Sequence, residues 1–411
     1  MRRLFTLNYP SQFWLMFTGM IISTIGGSMI WPFLMVYVSN TLGAPISTVA
    51  LILTVNSVMG LITAFVAGPI VDRLGRKWVM VLSLLSNGLV YLAMIFGHEF
   101  WHFAVLIGLQ GASQPLYRIA ADAMLADLIP MEQRADGYSL FRLGNNVGVA
   151  LGPAIGGFLA SASYSYAFLS AFIGMTFYGL LMAFRGHETI PTHDAPTIKE
   201  RFGGYDQLLR DRQYLRMVLG YQFTRFCATV VWVMLSVYTI NEFHMPESLY
   251  GFIPMTNGIM VVLFQIPVTV FTKRHDRYWM MALGATLYGV AAFSIILARG
   301  FFGFWMAMVI MTIGELILEP TSSTQIANLA PPSMRGRYMS VYGLTYNVAH
   351  GISPVVSGAL SDKYGPQAMW VYAGSMGMIS ALIYVTSRRL ADSRREGGVP
   401  IPITRMGKPS G

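Results

Sequence analysis

With 411 residues, 54% hydrophobic and 11% charged, the chain carries less than half the charge of a soluble domain, which averages about 25%, and reads as a polytopic membrane protein. A net charge of +9 would suit nucleic acid, but its distribution along the chain, described below, excludes that partner. The single cysteine, Cys227, excludes an intramolecular disulfide.

The start, MRRLFTLNYPSQFW, is basic and then apolar. The first apolar segment, residues 13–39, is too long for a cleaved leader and has no small-residue cleavage site close behind a short apolar core, which predicts an uncleaved anchor. Further apolar segments follow at 46–70, 78–97, 101–125, 137–161, 164–184, 214–240, 249–272, 278–298, 302–327, 338–360 and 367–387. Each can cross about 30 Å of hydrocarbon as a helix. The prediction is an all-α integral membrane protein with twelve transmembrane helices. Of the 28 Lys and Arg, all but five lie at the amino terminus, in loops after even-numbered spans, in the central linker or in the tail. Arg299 and Lys363 lie on the opposite face; Arg118, Arg142 and Arg225 fall inside spans. This is the positive-inside distribution, and it predicts a multi-pass protein of the cell (inner) membrane with both termini cytoplasmic.

The loop between spans 2 and 3 reads Gly68-Pro-Ile-Val-Asp72-Arg73-Leu-Gly75-Arg76-Lys77. Span 4 carries Gln114 and Arg118 on one face, with Asp122 and Asp127 near its cytoplasmic end. Span 5 holds Gly148, Gly152, Pro153, Gly156 and Gly157. Such glycines let another helix pack at close range, and Pro153 bends its own helix. The polar segment 185–213 is a predicted cytoplasmic linker with a short surface helix. In span 7, Gln222, Arg225, Thr229, Trp232 and Ser236 form a polar stripe at helical spacing.

Span 10 contains GELILEP, where Glu315 and Glu319 are the only charges between Arg299 and Arg335. Spaced i and i+4, they share a face. A buried carboxylate costs several kcal/mol unless it is paired, hydrated or protonated, and two like charges in an apolar setting favour a proton on at least one. Two readings stay open: a fixed Glu315–Arg225 salt bridge that only joins helices, or a glutamate that takes up and releases a proton as the cavity changes sides. Glu315 lies deeper and is the first choice for the second; Pro320 can kink the helix and expose Glu319 to cytoplasmic water. Asn146, Arg142, Asn347 and His350 are read as groups that tie helices together. Trp31, Trp232 and Tyr238 are candidates for a greasy substrate surface. The tail, 388–411, is basic, rich in Pro and Gly, and expected to be disordered.

A shift of 201 residues brings the chain onto itself without gaps. Trp31, Val36, Tyr37 and Asn40 fall on Trp232, Val237, Tyr238 and Asn241; Asn56 falls on Asn257; Arg134, Asn146, Pro153 and Gly157 fall on Arg335, Asn347, Pro354 and Gly358. Six spans are duplicated. An even number per copy keeps both copies in one orientation, so the repeats are parallel. The predicted divisions are 1–184 and 214–387 for the two bundles, with the linker at 185–213 and the tail at 388–411.

Two six-helix halves and these motifs resemble the major facilitator superfamily. The 68–77 loop is similar to its G-x-x-x-D-R-x-G-R-[RK] signature, and the span 5 glycines resemble the motif of drug/proton antiporters. GELILEP followed by PPSMRGRY is similar to the small multidrug exporters of the twelve-span group. The resemblance implies that spans 1, 4, 7 and 10 line a central cavity. It also implies that Asp72 faces the start of span 11 near Arg335–Tyr338 as a cytoplasmic latch, with Arg73, Arg76 and Lys77 bridging to Asp122 or Asp127. One departure stands out. The arginine often found three residues before a Gln-Gly pair in span 4 is Ile107 here, so its proton-transfer role does not carry over.

The expected function is proton-coupled export of amphipathic or hydrophobic compounds by alternating access. The two glutamates lean toward cationic substrates, and Arg225 toward zwitterions or anions. The rivals are a carrier for a lipid, sugar or other defined metabolite, a sensor that kept the fold, and a membrane enzyme. The last is disfavoured because no nucleophile arrangement or phosphate loop occurs. The seven histidines and the cysteine show no metal-ligand spacing. Expected partners are a small-molecule substrate, protons and the bilayer, with no cofactor and no nucleic acid; a monomer suffices.

Overall fold

Proline and glycine cut the chain into rods. Pro10 and Pro45 stand immediately before the first two helices, and Gly43 (φ 57°) and Gly75 (φ 95°) end them in the left-handed region that favours glycine. Elsewhere carboxylates cap: Asp211 accepts the Tyr214 N–H and Asp276 the Trp279 N–H, both at 3.0 Å. The computed structural model describes residues 9–189, 205–331 and 334–396. The first six long helices are α1 Ser11–Leu42, α2 Ile46–Leu74, α3 Arg76–Met94, α4 Phe100–Leu128, α5 Arg134–Ala162 and α6 Tyr164–Arg185. After a short helix, Tyr205–Arg210, come α7 Arg212–Val237, α8 Phe252–Thr272, α9 Arg277–Leu297, α10 Gly300–Leu329, α11 Arg335–Tyr364 and α12 Ala368–Glu396.

Among the described residues, ten of these helices are long and apolar enough to cross a membrane. The other two, α4 and α11, are as long, at 29 and 30 residues, or roughly 45 Å. Their Gln, Asn, Ser, His and Arg positions make them too polar for that criterion, because they wall a cavity. Large apolar side chains such as Ile266 (71% exposed) and Phe184 (83%) cover the perimeter, a surface suited to lipid. α12 runs on to Glu396, past residue 387, where the sequence reading ends the last span; its helical turns continue into the segment expected to be disordered. Residues 397–411 of that tail and 190–204 of the linker lie outside the described residues.

Packing follows the duplication. In the first half α1 packs on α5 and α6, α2 on α4, and α3 on α4 and α6. In the second, α7 packs on α11 and α12, α8 on α10, and α9 on α10 and α12. The two parallel six-helix repeats meet along α2–α11, α5–α8 and α1–α7. One apolar core, from Ile30 to Val38 of α1 through Cys227–Val237 of α7 to Trp370 of α12, spans both halves. At the end where α1 begins and α12 finishes, the core is split. Phe13, Met80, Met124 and Tyr178 belong to the first half only, and Tyr214, Met281, Leu318 and Tyr384 to the second only. The halves therefore form a V, joined at one end and parted at the other.

Candidate functional site in the central cavity

Between the arms of the V lies a cavity of about 1560 Å³. Gly336 and Arg337, at the first turn of α11, place its mouth at the end of the bundle where α1 begins and α12 finishes. Two seams close the other end. In one, the Asp362 carboxylate near the end of α11 accepts the backbone N–H groups of Ile46 and Ser47 at 3.2 and 3.0 Å, at the start of α2. In the other, the Tyr164 hydroxyl of α6 donates to Glu247 Oε1 at 2.8 Å. Gly157 lies against the Glu247 backbone, and its repeat partner Gly358 lies against Ile46 and Ser47. A methyl group at either position would meet backbone atoms, so these glycines serve close approach across the seam.

Of the residues singled out in the sequence, Glu315, Arg225, Thr229, Trp232, Gln114, Arg118 and Trp31 line the cavity. Gln222 does not: its amide donates to the Thr345 carbonyl of α11 at 3.3 Å. Nor does Tyr238, which sits near the closed end, 4% exposed, packed edge-on to Phe243, Phe304 and Trp370. The wall is also broader than helices α1, α4, α7 and α10. α10 contributes only Glu315, whereas α2, α5 and α11 contribute several residues each.

The two glutamates have different surroundings. Glu319 Oε2 accepts the Arg225 guanidinium at 2.9 Å and the Tyr221 hydroxyl at 2.7 Å, and Arg225 also lies over the Tyr221 ring, 4.8 Å from its centroid. Glu319 is off the cavity wall. Glu315 is on it, and Asn257 Nδ2 of α8 donates to its Oε2 at 2.7 Å and also reaches Thr312 Oγ1 at 3.0 Å. The salt bridge to Arg225 therefore belongs to Glu319, not to Glu315. Sequence reasoning passed over Asn257 as a site residue, although its match to Asn56 in the repeat was the available signal. His350 is on the wall, stacked on Tyr346 with ring centroids 4.0 Å apart.

In α5, Gly148, Gly152 and Gly156 face Thr24, Ser28 and Met29 of α1, so the glycine motif seats these two helices together. Pro153 stands inside the helix, its carbonyl against Gly251 of the second half. In the α2–α3 loop, Gly68 lies within α2, and Gly75 turns the chain. Arg76 forms an ion pair with Asp127. Asp72 and Arg73 are exposed, and Asp72 has no ion pair among the described residues; it does not meet the start of α11, because this end of the bundle is open. Lys77 lies over the Trp78 ring. Asp122 is exposed, and its backbone carbonyl accepts the Tyr138 hydroxyl. Sequence reasoning also missed Glu188, whose carboxylate accepts the backbone N–H groups of Arg76 and Lys77 at 3.0 and 3.1 Å. That contact depends on where the chain runs after α6, which no local motif encodes.

The family model described as Major Facilitator Superfamily matches residues 16–224 and 217–406. Among curated relatives, a Na(+), Li(+), K(+)/H(+) antiporter of Planococcus maritimus is 26% identical over 400 residues, covering 89% of this chain and 93% of its own. The multidrug resistance protein MdtH of Escherichia coli is 22% identical over 378 residues, covering 90% and 92%. Among solved structures, a POT family transporter in complex with 5-aminolevulinic acid is similar with a TM-score of 0.76 at 17% identity, covering 93% of this chain and 97% of that one. A mutant of the nucleoside transporter NupG has a TM-score of 0.76 at 11% identity, covering 92% and 100%. These structural likenesses concern the fold.

Proposed function

The chain belongs to the Major Facilitator Superfamily, and from that premise we propose that it is a proton-coupled secondary transporter exporting amphipathic or hydrophobic compounds by alternating access. It works as a monomer in the cell membrane, with both termini cytoplasmic and no cofactor, and the proton gradient drives it. The cavity mouth then faces the cytoplasm, ready to load.

One observation carries this reading. Glu315 is the sole acid on the cavity wall among the described residues, and the group that donates a hydrogen bond to it is an uncharged amide. A carboxylate in such a place is stable when it holds a proton or meets a partner. Glu319 already has its partner in Arg225. Glu315 is therefore the group that gives up a proton when cargo enters and regains one when the cavity opens outward. A proton crossing 100 mV releases roughly 2.3 kcal/mol, enough to move cargo uphill when added to a pH gradient. The antiporter and multidrug relatives support export in exchange for protons at the level of family.

The test uses proteoliposomes with an imposed pH gradient, to which lipophilic compounds are added while lumenal pH is followed. Wild type should dissipate the gradient on adding substrate, and Glu315→Gln should not. No substrate-dependent proton movement by wild type would overturn antiport. The Planococcus relative supports a second reading, exchange of monovalent cations for protons, for which Glu315 and the nearby Thr312 offer oxygen ligands. Under that reading sodium, lithium or potassium salts alone would collapse the gradient.

A further inference from the structure

We propose that Arg118 is an anion receptor, so that the transported molecule is an amphipathic acid, with a carboxylate, phosphate or sulfonate at one end and an apolar body at the other. This deepens the transporter reading and rests on it.

The charged groups on the cavity wall are mostly cationic. Among the described residues the wall presents three arginines, Arg118, Arg225 and Arg337, against one acid, Glu315. Arg225 is neutralised by Glu319, just as Arg76, outside the cavity, is neutralised by Asp127. Arg118 differs. It is exposed to the cavity and forms no ion pair among the described residues. Asp122, one turn nearer the mouth on the same helix, is off the wall and feels the Arg118 charge at longer range without forming a salt bridge to it. An arginine inside a membrane protein is costly unless water or an anion meets it. Its planar fork matches carboxylate, phosphate and sulfonate oxygens with paired hydrogen bonds.

Depth along the helices gives the molecule its polarity. Counting about 1.5 Å per residue from the helix ends at the mouth, Arg118 lies about 15 Å deep and Trp31 and Trp232 about 30 Å deep. Both tryptophans are on the wall. An acid group at Arg118 would leave an apolar body about 15 Å long to reach them. Gln114, one turn deeper on the same face, and Asn145 of α5 add neutral hydrogen-bonding groups on the wall. By the same count Glu315 lies about 20 Å deep, beyond the acid group and beside the apolar body.

The test is isothermal titration of the purified full-length protein with 8-(1-naphthyl)octanoate, the matched alcohol and the matched amine. Wild type should bind the acid roughly tenfold or more tightly than either analogue, the range expected for one charge-assisted hydrogen bond. Arg118→Gln should erase that preference and leave alcohol binding unchanged. Arg118→Lys, which keeps the charge without the fork, should retain part of it, and decides the matter if the glutamine variant does not fold. The proposal is overturned by any of three results: a wild type that binds the alcohol or amine as well as the acid, an acid preference that survives in Arg118→Gln, or no saturable binding of the three compounds. A wild type that binds the acid selectively but moves no protons in vesicles would remove antiport and leave the receptor standing.

Discussion

Arg225 donates to Glu319 at 2.9 Å, although Glu315 lies one turn away on the same helix. The neighbouring carboxylate instead faces the cavity with an amide partner. This division gives one glutamate a charged partner and the other a neutral one, and it governs the first prediction.

Glu319→Gln should lower thermal stability more than Glu315→Gln. Removing one partner of a buried pair leaves the other charge uncompensated and costs up to about 3–5 kcal/mol. Here a quarter of each side chain remains exposed, which puts the expectation near the bottom of that range. The double variant Arg225→Met, Glu319→Leu should recover most of the loss. Thermal unfolding of the purified variants measures this; a larger loss from Glu315→Gln would reverse the assignment.

Asp362→Ala should loosen the closed end. The carboxylate caps two backbone N–H groups at the start of α2, a contact worth about 0.5–2 kcal/mol. The outward-open population should rise several-fold. Cys227, the sole cysteine, is buried, so a cysteine introduced at Val261 on the cavity wall reports access against a silent background. Labelling of Val261→Cys by an impermeant maleimide from outside the cell should accelerate. An unchanged rate would show that Asp362 does not hold the seam.

Gly157→Leu and Gly358→Leu should both disfavour the V-shaped conformation, since a side chain at either site runs into backbone across a seam. The same outside labelling should rise in both, and by similar amounts because the two seams are related by the repeat. A change in one variant alone would mean that the seams are not equivalent.

Glu188→Ala should cost about 1 kcal/mol, the usual value of a lost helix cap, because Arg76 and Lys77 then lose the acceptor for their backbone N–H groups. Glu188→Gln should recover part of it. Unfolding midpoints of the two variants check this, and an alanine variant as stable as wild type would contradict it.

The helices, their duplication and the side of the bundle that carries the positive charge could be read from the chain because each depends on local features. Runs of apolar residues long enough to span lipid must become helices, since no other open structure satisfies the backbone there. The match of Trp31 to Trp232 and Gly157 to Gly358 needs no coordinates. That Glu315 and Glu319 share a face follows from i, i+4 spacing alone. The α12 extension to Glu396 was missed because polar residues beyond the last apolar run give no signal that helical geometry continues.

Only the tertiary structure decided which partner each charge meets. Spacing along α10 puts both glutamates on one face, but the rotation and depth of α10 against α7 and α8 give Glu319 to Arg225 and Glu315 to Asn257. The same holds for Asp362, whose partners lie more than 300 residues earlier, and for Gln222 and Tyr238, which the helical stripe and aromatic character suggested for the wall and packing turned away from it. Sequence periodicity specifies the face of a helix, and the neighbours that face meets are set only when twelve helices pack together.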